Sequence, residues 1–171
     1  HPTIKADFQP AGSGSIDITS VSVLLDGIDI SSSTDRQSTG IIFNPDLTGL
    51  SEGSHTVSVS LHDDAGHDGY STWNFAVDST PPEISDAAPT GIASARPLIS
   101  AAVSDNGSGI DPVSSTITLD GLSDAGSATL SGGLASFSPP ENLSPGTHSV
   151  QLSIRDMAGN SNTAAWNFNV A

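Results

Sequence analysis

The sequence predicts an all-β chain of two tandem β-sandwich units, and three observations predict it. Leu50 to Gly66 is answered by Leu143 to Gly159, and Trp73-Asn74-Phe75 by Trp166-Asn167-Phe168. The offset is constant at 93 residues (148 − 55 for the histidines, 166 − 73 for the tryptophans), and a fixed spacing across a whole hairpin marks two copies of one folded unit. Apolar residues make up 35% of the chain and charged residues 13%, with Ser, Thr, Gly, Asn and Pro filling much of the rest; that is a strand and turn composition, not a helical one. Short runs of alternating apolar and polar residues end at turn residues, and no stretch shows a helical period.

Residues 1–80 form the first unit and 81–171 the second. Pro2 to Phe8 alternates as a half-buried strand does, and Pro97 to Val103 is its counterpart. Each is followed by a Gly/Ser loop closing on Ile-Asp, at Ile16-Asp17 and Ile110-Asp111. A second strand, Val21 to Leu25 or Thr116 to Leu119, runs into Asp26-Gly27 or Asp120-Gly121. Asp-Gly after alternating apolar residues signals a tight hairpin, because both positions need φ > 0. Ile41 to Pro45 and Ala135 to Pro139 read as short strands closed by proline. Then comes the repeated hairpin, with Val57, Val59 and Leu61 (Val150, Leu152 and Ile154) on one face and an Asp-x-Ala-Gly turn. Trp73, Phe75 and Val77 (Trp166, Phe168 and Val170) line the closing strand. Asp78-Ser79-Thr80-Pro81-Pro82 is a short proline linker, stiffened by its two prolines.

One asymmetry stands out. The second unit has lead-in sequence from Glu83 to Ala95, enough for a first edge strand, whereas the first starts at His1-Pro2, level with Arg96-Pro97. Either the chain was cut there or the first unit has an open sheet edge, which a strand from another chain can fill.

Nineteen acidic residues face four basic ones, for a net charge of −15. Such a surface repels nucleic acid and anionic membranes and attracts cations. The absence of cysteine excludes disulfides, thiolate metal sites and a cysteine nucleophile. No apolar run is long enough to insert into a membrane. There is no G-x-S-x-G elbow, phosphate loop or H-E-x-x-H, so no enzyme is expected. Asn106-Gly107-Ser108 and Asn142-Leu143-Ser144 fit the N-glycosylation pattern.

Ser104-Asp105-Asn106-Gly107-Ser108-Gly109-Ile110-Asp111, Leu119-Asp120-Gly121, Leu143-Ser144-Pro145-Gly146-Thr147-His148 and Asp156-Met157-Ala158-Gly159-Asn160 together resemble the bacterial and archaeal Ig-like repeats of extracellular, adhesin-type surface proteins. The linker resembles those between such repeats. The first unit departs from the pattern: Gly12-Ser13-Gly14-Ser15 lacks the Asp-Asn start, and His67 replaces the Asn of Ala-Gly-Asn. The resemblance implies two tandem Ig-like β-sandwich domains serving as a stalk, spacer or adhesion module at a cell surface or in a secreted protein. Their partners would be other domains of the same larger protein.

An Ig-like topology would gather Asp105, Asp111 and Asp156 at one end of the second unit, where Asp78 of the linker (with Glu83 or Asp86) arrives. Calcium, which takes six to eight oxygens, is the cation such a set suits. The bland alternative is that these aspartates shape turns and accept bonds from nearby amides. Asp63 and Asp68, with His62, Asp64 and His67, crowd the equivalent turn of the first unit and form a weaker metal candidate beside the reading of a solvated acidic turn. His55 and His148 stand where sandwiches place a corner tyrosine, which makes them structural rather than catalytic. Trp73 and Trp166 are in phase with core residues; exposed, they could stack on sugars. Three roles stay open beside the stalk: a glycan- or protein-binding module, an accessory domain of a secreted enzyme or electron-transfer protein, and a homo-oligomer or filament subunit using strand complementation.

Overall fold

The chain divides into two compact units, His1–Val77 and Asp78–Ala171, a boundary just ahead of the one expected after Thr80. The computed structural model describes residues 2–45, 50–123 and 129–171. Each unit buries the apolar faces of two β-sheets against each other, the outcome that alternating strands require.

In the first unit β1 (Ile4–Asp7), β4 (Asp35–Gln37) and β5 (Gly40–Phe43) form one sheet, in the order β1-β5-β4. The other, in the order β3-β2-β6-β7, is built from β2 (Ser22–Leu25), β3 (Ile28–Asp29), β6 (Gly53–His62) and β7 (Asp68–Val77). Ile4 and Ile41 from one sheet meet Val23, Val57 and Val59 from the other in a common core. Burying such side chains stabilises by roughly 1.5–3 kcal/mol each.

The second unit repeats this plan and adds to it. Its elements are β8 (Glu83–Ala88), β9 (Gly91–Ala93), β10 (Ile99–Ser104), β11 (Ile110–Leu119), β12 (Leu122–Ser123), β13 (Thr129–Ser131), β14 (Leu134–Phe137), β15 (Gly146–Asp156) and β16 (Ser161–Val170). The sheet orders are β13-β14-β10-β8 and β12-β11-β15-β16-β9. The lead-in sequence therefore forms two strands on different sheets. β8 runs antiparallel to β10, and β9 runs parallel to β16. Pro89, which has no N–H to give a ladder, falls between them; its peptide bond with Ala88 is cis. The proline linker is also partly absorbed: Pro82 is fully buried, and its carbonyl accepts from Asn162 Nδ2 at 2.9 Å.

The two Asp-Gly pairs turn as expected, with φ of 52° and 80° at Asp26-Gly27 and 53° and 77° at Asp120-Gly121. Trp73 and Trp166 are half-buried against their cores, not enclosed by them. Ile154, Phe168, Ala101 and Val103 are buried, while their counterparts Leu61, Phe75, Ala6 and Phe8 are half-buried. Among the described residues, nothing pairs with β1 on the side away from β5 or with β7 on the side away from β6.

Candidate functional site

Two sets of polar groups are fixed well enough to matter. In the first, each Asp-Gly turn is clamped to the strand that starts the long hairpin. His55 Nδ1 lies 2.6 Å from Asp26 Oδ2, and His55 Nε2 lies 2.8 Å from the Ser51 carbonyl. His148 repeats this with Asp120 at 2.7 Å and Ser144 at 2.8 Å. A carboxylate and a carbonyl can only accept, so both ring nitrogens must donate and the ring is an imidazolium. Thr56 N and Ser149 N also donate to the two aspartates, each at 2.8 Å. Phe75 and Phe168 stack on the rings with centroids 5.3 and 5.5 Å away.

These contacts shift the titrations. The Asp26 hydrogen bond and then the Ser51 carbonyl raise the His55 pKa; for His148 the Ser144 carbonyl comes first and Asp120 second. The bond from His55, then the Thr56 amide, lowers the pKa of Asp26. Burial opposes ionisation of Asp120 but is outweighed by the Ser149 amide and His148, so its pKa also falls. Each histidine takes the corner tyrosine's part, bonding back four residues upstream. Both ring nitrogens of each histidine are thus engaged in contacts that hold the fold.

The second set lies within Asp78–Ala171. Asp78, Asp105 and Asp156 each present a carboxylate oxygen, and the three oxygens lie within 4.8 Å of one another. Oxygens about 2.4 Å from a calcium ion are at most about 4.8 Å apart, so the separation suits one shared ion. Local chemistry holds each carboxylate. Asp105 Oδ1 accepts from the amides of Gly107 at 3.1 Å and Gly109 at 2.6 Å, and Gly109 turns at φ 84°. Asp78 Oδ2 accepts from Ser108 N at 2.6 Å and Oδ1 from Thr80 N at 3.1 Å; the bonds from Ser108, then that from Thr80, lower its pKa. Asp156, only 1% exposed, accepts from Gly159 N, Asn160 N and Asn160 Nδ2. The loop and the turn are tied together by Met157 N to Gly109 O and Ala158 N to Ser108 Oγ.

Of the four aspartates expected to form one set, Asp78, Asp105, Asp111 and Asp156, three converge. Asp111 lies outside the group. Its Oδ1 accepts from Val113 N at 2.9 Å, and its pKa is lowered by Ser114 first and Val113 second. It shapes the register shift between Asp111 and Thr116, as Asp17 shapes the turn at Ile18–Ser20 by accepting from Thr19 N. Glu83 and Asp86 also lie outside, on β8.

In the first unit Asp63 is the counterpart of Asp156. It is 2% exposed, accepts from Ala65 N and His67 N, and contacts His67 Nδ1 at 2.8 Å. His67 thus replaces the Asn160 side chain as donor. Asp68 sits exposed opposite His62 at the start of β7. Among the described residues no trio forms there. The signal that the sequence reading missed is the pairing of His55 with Asp26 and of His148 with Asp120; the repeat of both residues at nearly one offset was the available clue.

No family model matches the chain, and no curated protein matches it. Solved structures do. The I-band fragment I67–I69 of titin aligns over 99% of this chain and 59% of its own length, at 15% identity and a TM-score of 0.55. Immunoglobulin domains 1–5 of Sidekick-1 align over 100% of this chain and 40% of theirs, at 13% identity and a TM-score of 0.49. CopC from Methylosinus trichosporium OB3b covers 52% of this chain and 92% of its own, at 20% identity and a TM-score of 0.40. At such identities the titin likeness speaks for the fold alone, and both units are Ig-like β-sandwiches.

Proposed function

We propose that this chain is a non-catalytic structural module, a stalk or spacer segment of an extracellular or cell-surface protein, whose second unit binds calcium through Asp78, Asp105 and Asp156. The observation that carries the cation is their convergence within 4.8 Å. It is supported by the contrast with the first unit, where the buried carboxylate of Asp63 faces a histidine; among the described residues no basic side chain pairs with Asp156. Backbone amides leave lone pairs on all three carboxylates for an ion, with water completing its shell. The non-catalytic role is supported by the two histidine clamps, which spend their polar atoms on the fold. The remaining partners are other domains of a larger protein, and no helix is long and apolar enough to cross a membrane.

Thermal unfolding in EDTA, millimolar calcium and magnesium tests the reading. The chain has two tryptophans, one in each unit, so Trp73→Phe leaves a reporter of the second unit and Trp166→Phe of the first. Calcium at about a hundred times its Kd should stabilise the second unit by about 2.7 kcal/mol. The gain should vanish in Asp105→Asn and be absent from the first unit. Equal unfolding in EDTA and calcium would end the calcium reading and leave the trio as turn-forming residues.

A further inference from the structure

The two copies close one side of the sandwich differently. In the first unit Arg36 on β4 donates from Nη1 to the Val21 carbonyl at 3.1 Å, so one side chain crosses from one sheet to the backbone entering the other. Register identifies the copies of these residues. Arg36 pairs with Ile41 as Leu130 on β13 pairs with Ala135, and Val23 pairs with Val59 as Ile117 pairs with Leu152. Arg36, Ile41 and Val21 thus become Leu130, Ala135 and Ser115, each of them smaller. Ile117 and Leu152, in place of Val23 and Val59, give back only part of that volume. The second unit has a cleft of about 220 Å³ there, lined by Val113, Ser115, Leu130, Ala135 and Leu152 among others. Val113 is 89% exposed, so the cleft reaches the surface.

We propose that this cleft is a binding site for an arginine side chain presented by a basic segment of a partner protein. The first unit shows the fit within one chain: a half-buried arginine whose guanidinium reaches a carbonyl across the sheets. In the second unit Leu130, Ala135 and Leu152 offer apolar surface to the aliphatic stem, and the hydroxyls of Ser115, Thr116 and Ser136 offer acceptors to the head. Nineteen acidic residues against four basic ones draw a cationic partner to the surface. A polypeptide suits the place better than a small molecule for two reasons. Small-molecule sites run to about 300–1,000 Å³, whereas this cleft has room for one long side chain. It also lies between strand edges that a segment could pair with. β13 ends its sheet, and β12 covers β11 only at Thr118 and Leu119 among the described residues. The site does not depend on the cation.

The test titrates the full chain with a blocked pentapeptide carrying a central arginine, read by amide chemical shifts. Analogues with citrulline or norleucine in the arginine's place, and free arginine, are run beside it. The expected result is saturable binding in the millimolar range or tighter, with shifts at Ser115, Leu130 and Ala135. The citrulline analogue, which lacks the charge, should bind about tenfold more weakly, and added salt should weaken the arginine peptide. Leu130→Arg puts the first unit's own residue into the cleft and should abolish binding. Ala135→Ile, also taken from the first unit, should do the same and serves if the arginine variant does not fold. No shift with the pentapeptide at about 10 mM would overturn the proposal, as would undiminished binding to either variant. Norleucine binding as tightly as arginine would overturn it in favour of a merely apolar cleft. Free arginine binding as tightly as the pentapeptide would overturn it in favour of a small guanidinium compound.

Discussion

Ile154 and Leu61 occupy one position in two copies of one sandwich, yet the first is fully buried and the second is not. The same holds for Phe168 and Phe75, and for Val170 and Val77. The hairpins themselves do not explain the difference, because they agree in apolar phase and, to within one residue, in length. What differs is the cover. β8 and β9 shut the second core from both sheets, and nothing among the described residues does so for the first. A core is thus completed by its edge strands as much as by its own apolar face, and the first unit should be the weaker of the two.

The largest test of that contrast is a truncation at the shared position. Ile154→Ala opens a cavity in a closed core and should cost about 2–5 kcal/mol; Leu61→Ala, already half in water, should cost about half as much. Urea unfolding read by the single tryptophan of each unit measures both. Equal losses would mean that the first core is as tightly closed as the second.

The histidine clamps make a smaller and symmetric prediction. His55 and His148 have raised pKa values when folded. Their contribution is therefore complete below the unfolded value of about 6.5 and is lost as pH rises through the folded one. Asp26 and Asp120 have lowered values, so theirs is present above about 3.9 and is lost as pH falls through the folded pKa. Both units should be most stable in the mildly acidic range between. His148→Gln should flatten the alkaline loss in the second unit alone, and His55→Gln in the first alone. A slope that survives in either variant would assign the titration to another group.

Much of this was legible in the chain because it was local. The alternation of Val57, Val59 and Leu61, the Asp-Gly turns and the constant offset each follow from backbone period or from φ > 0, and each appears where expected. The partners of His55 and His148 were not legible. Asp26 lies 29 residues away from its histidine and Asp120 28, and no periodicity reports a contact across that gap. A turn signal explained both aspartates, so the repeat of histidine and aspartate at nearly one offset was the one trace of their second role. The lead-in strand was legible as a strand, but its passage from one sheet to the other depends on which edges stay free, and that is a property of the assembled unit. Asp111 shows the opposite case. Its residue type and place in the sequence matched a calcium ligand, yet it lies outside the group of Asp78, Asp105 and Asp156 and accepts from the amide of Val113.

The loop glycines sharpen the comparison at the smallest scale. A Cβ on Gly107 would collide with the Asp78 carboxylate, and one on Gly14 would collide with that of Asp64. Asp64 is exposed and carries its clash at the end of a flexible side chain, so Gly14→Ala should be nearly neutral. Asp78 is held by the Ser108 and Thr80 amides and must break at least one of them to make room. Gly107→Ala should therefore cost about 1 kcal/mol in the second unit and blunt its response to calcium, since the displaced carboxylate is one of the three proposed ligands. A variant that loses stability but keeps the full calcium shift would separate the loop's packing from ion binding, and would remove Asp78 from the ligand set.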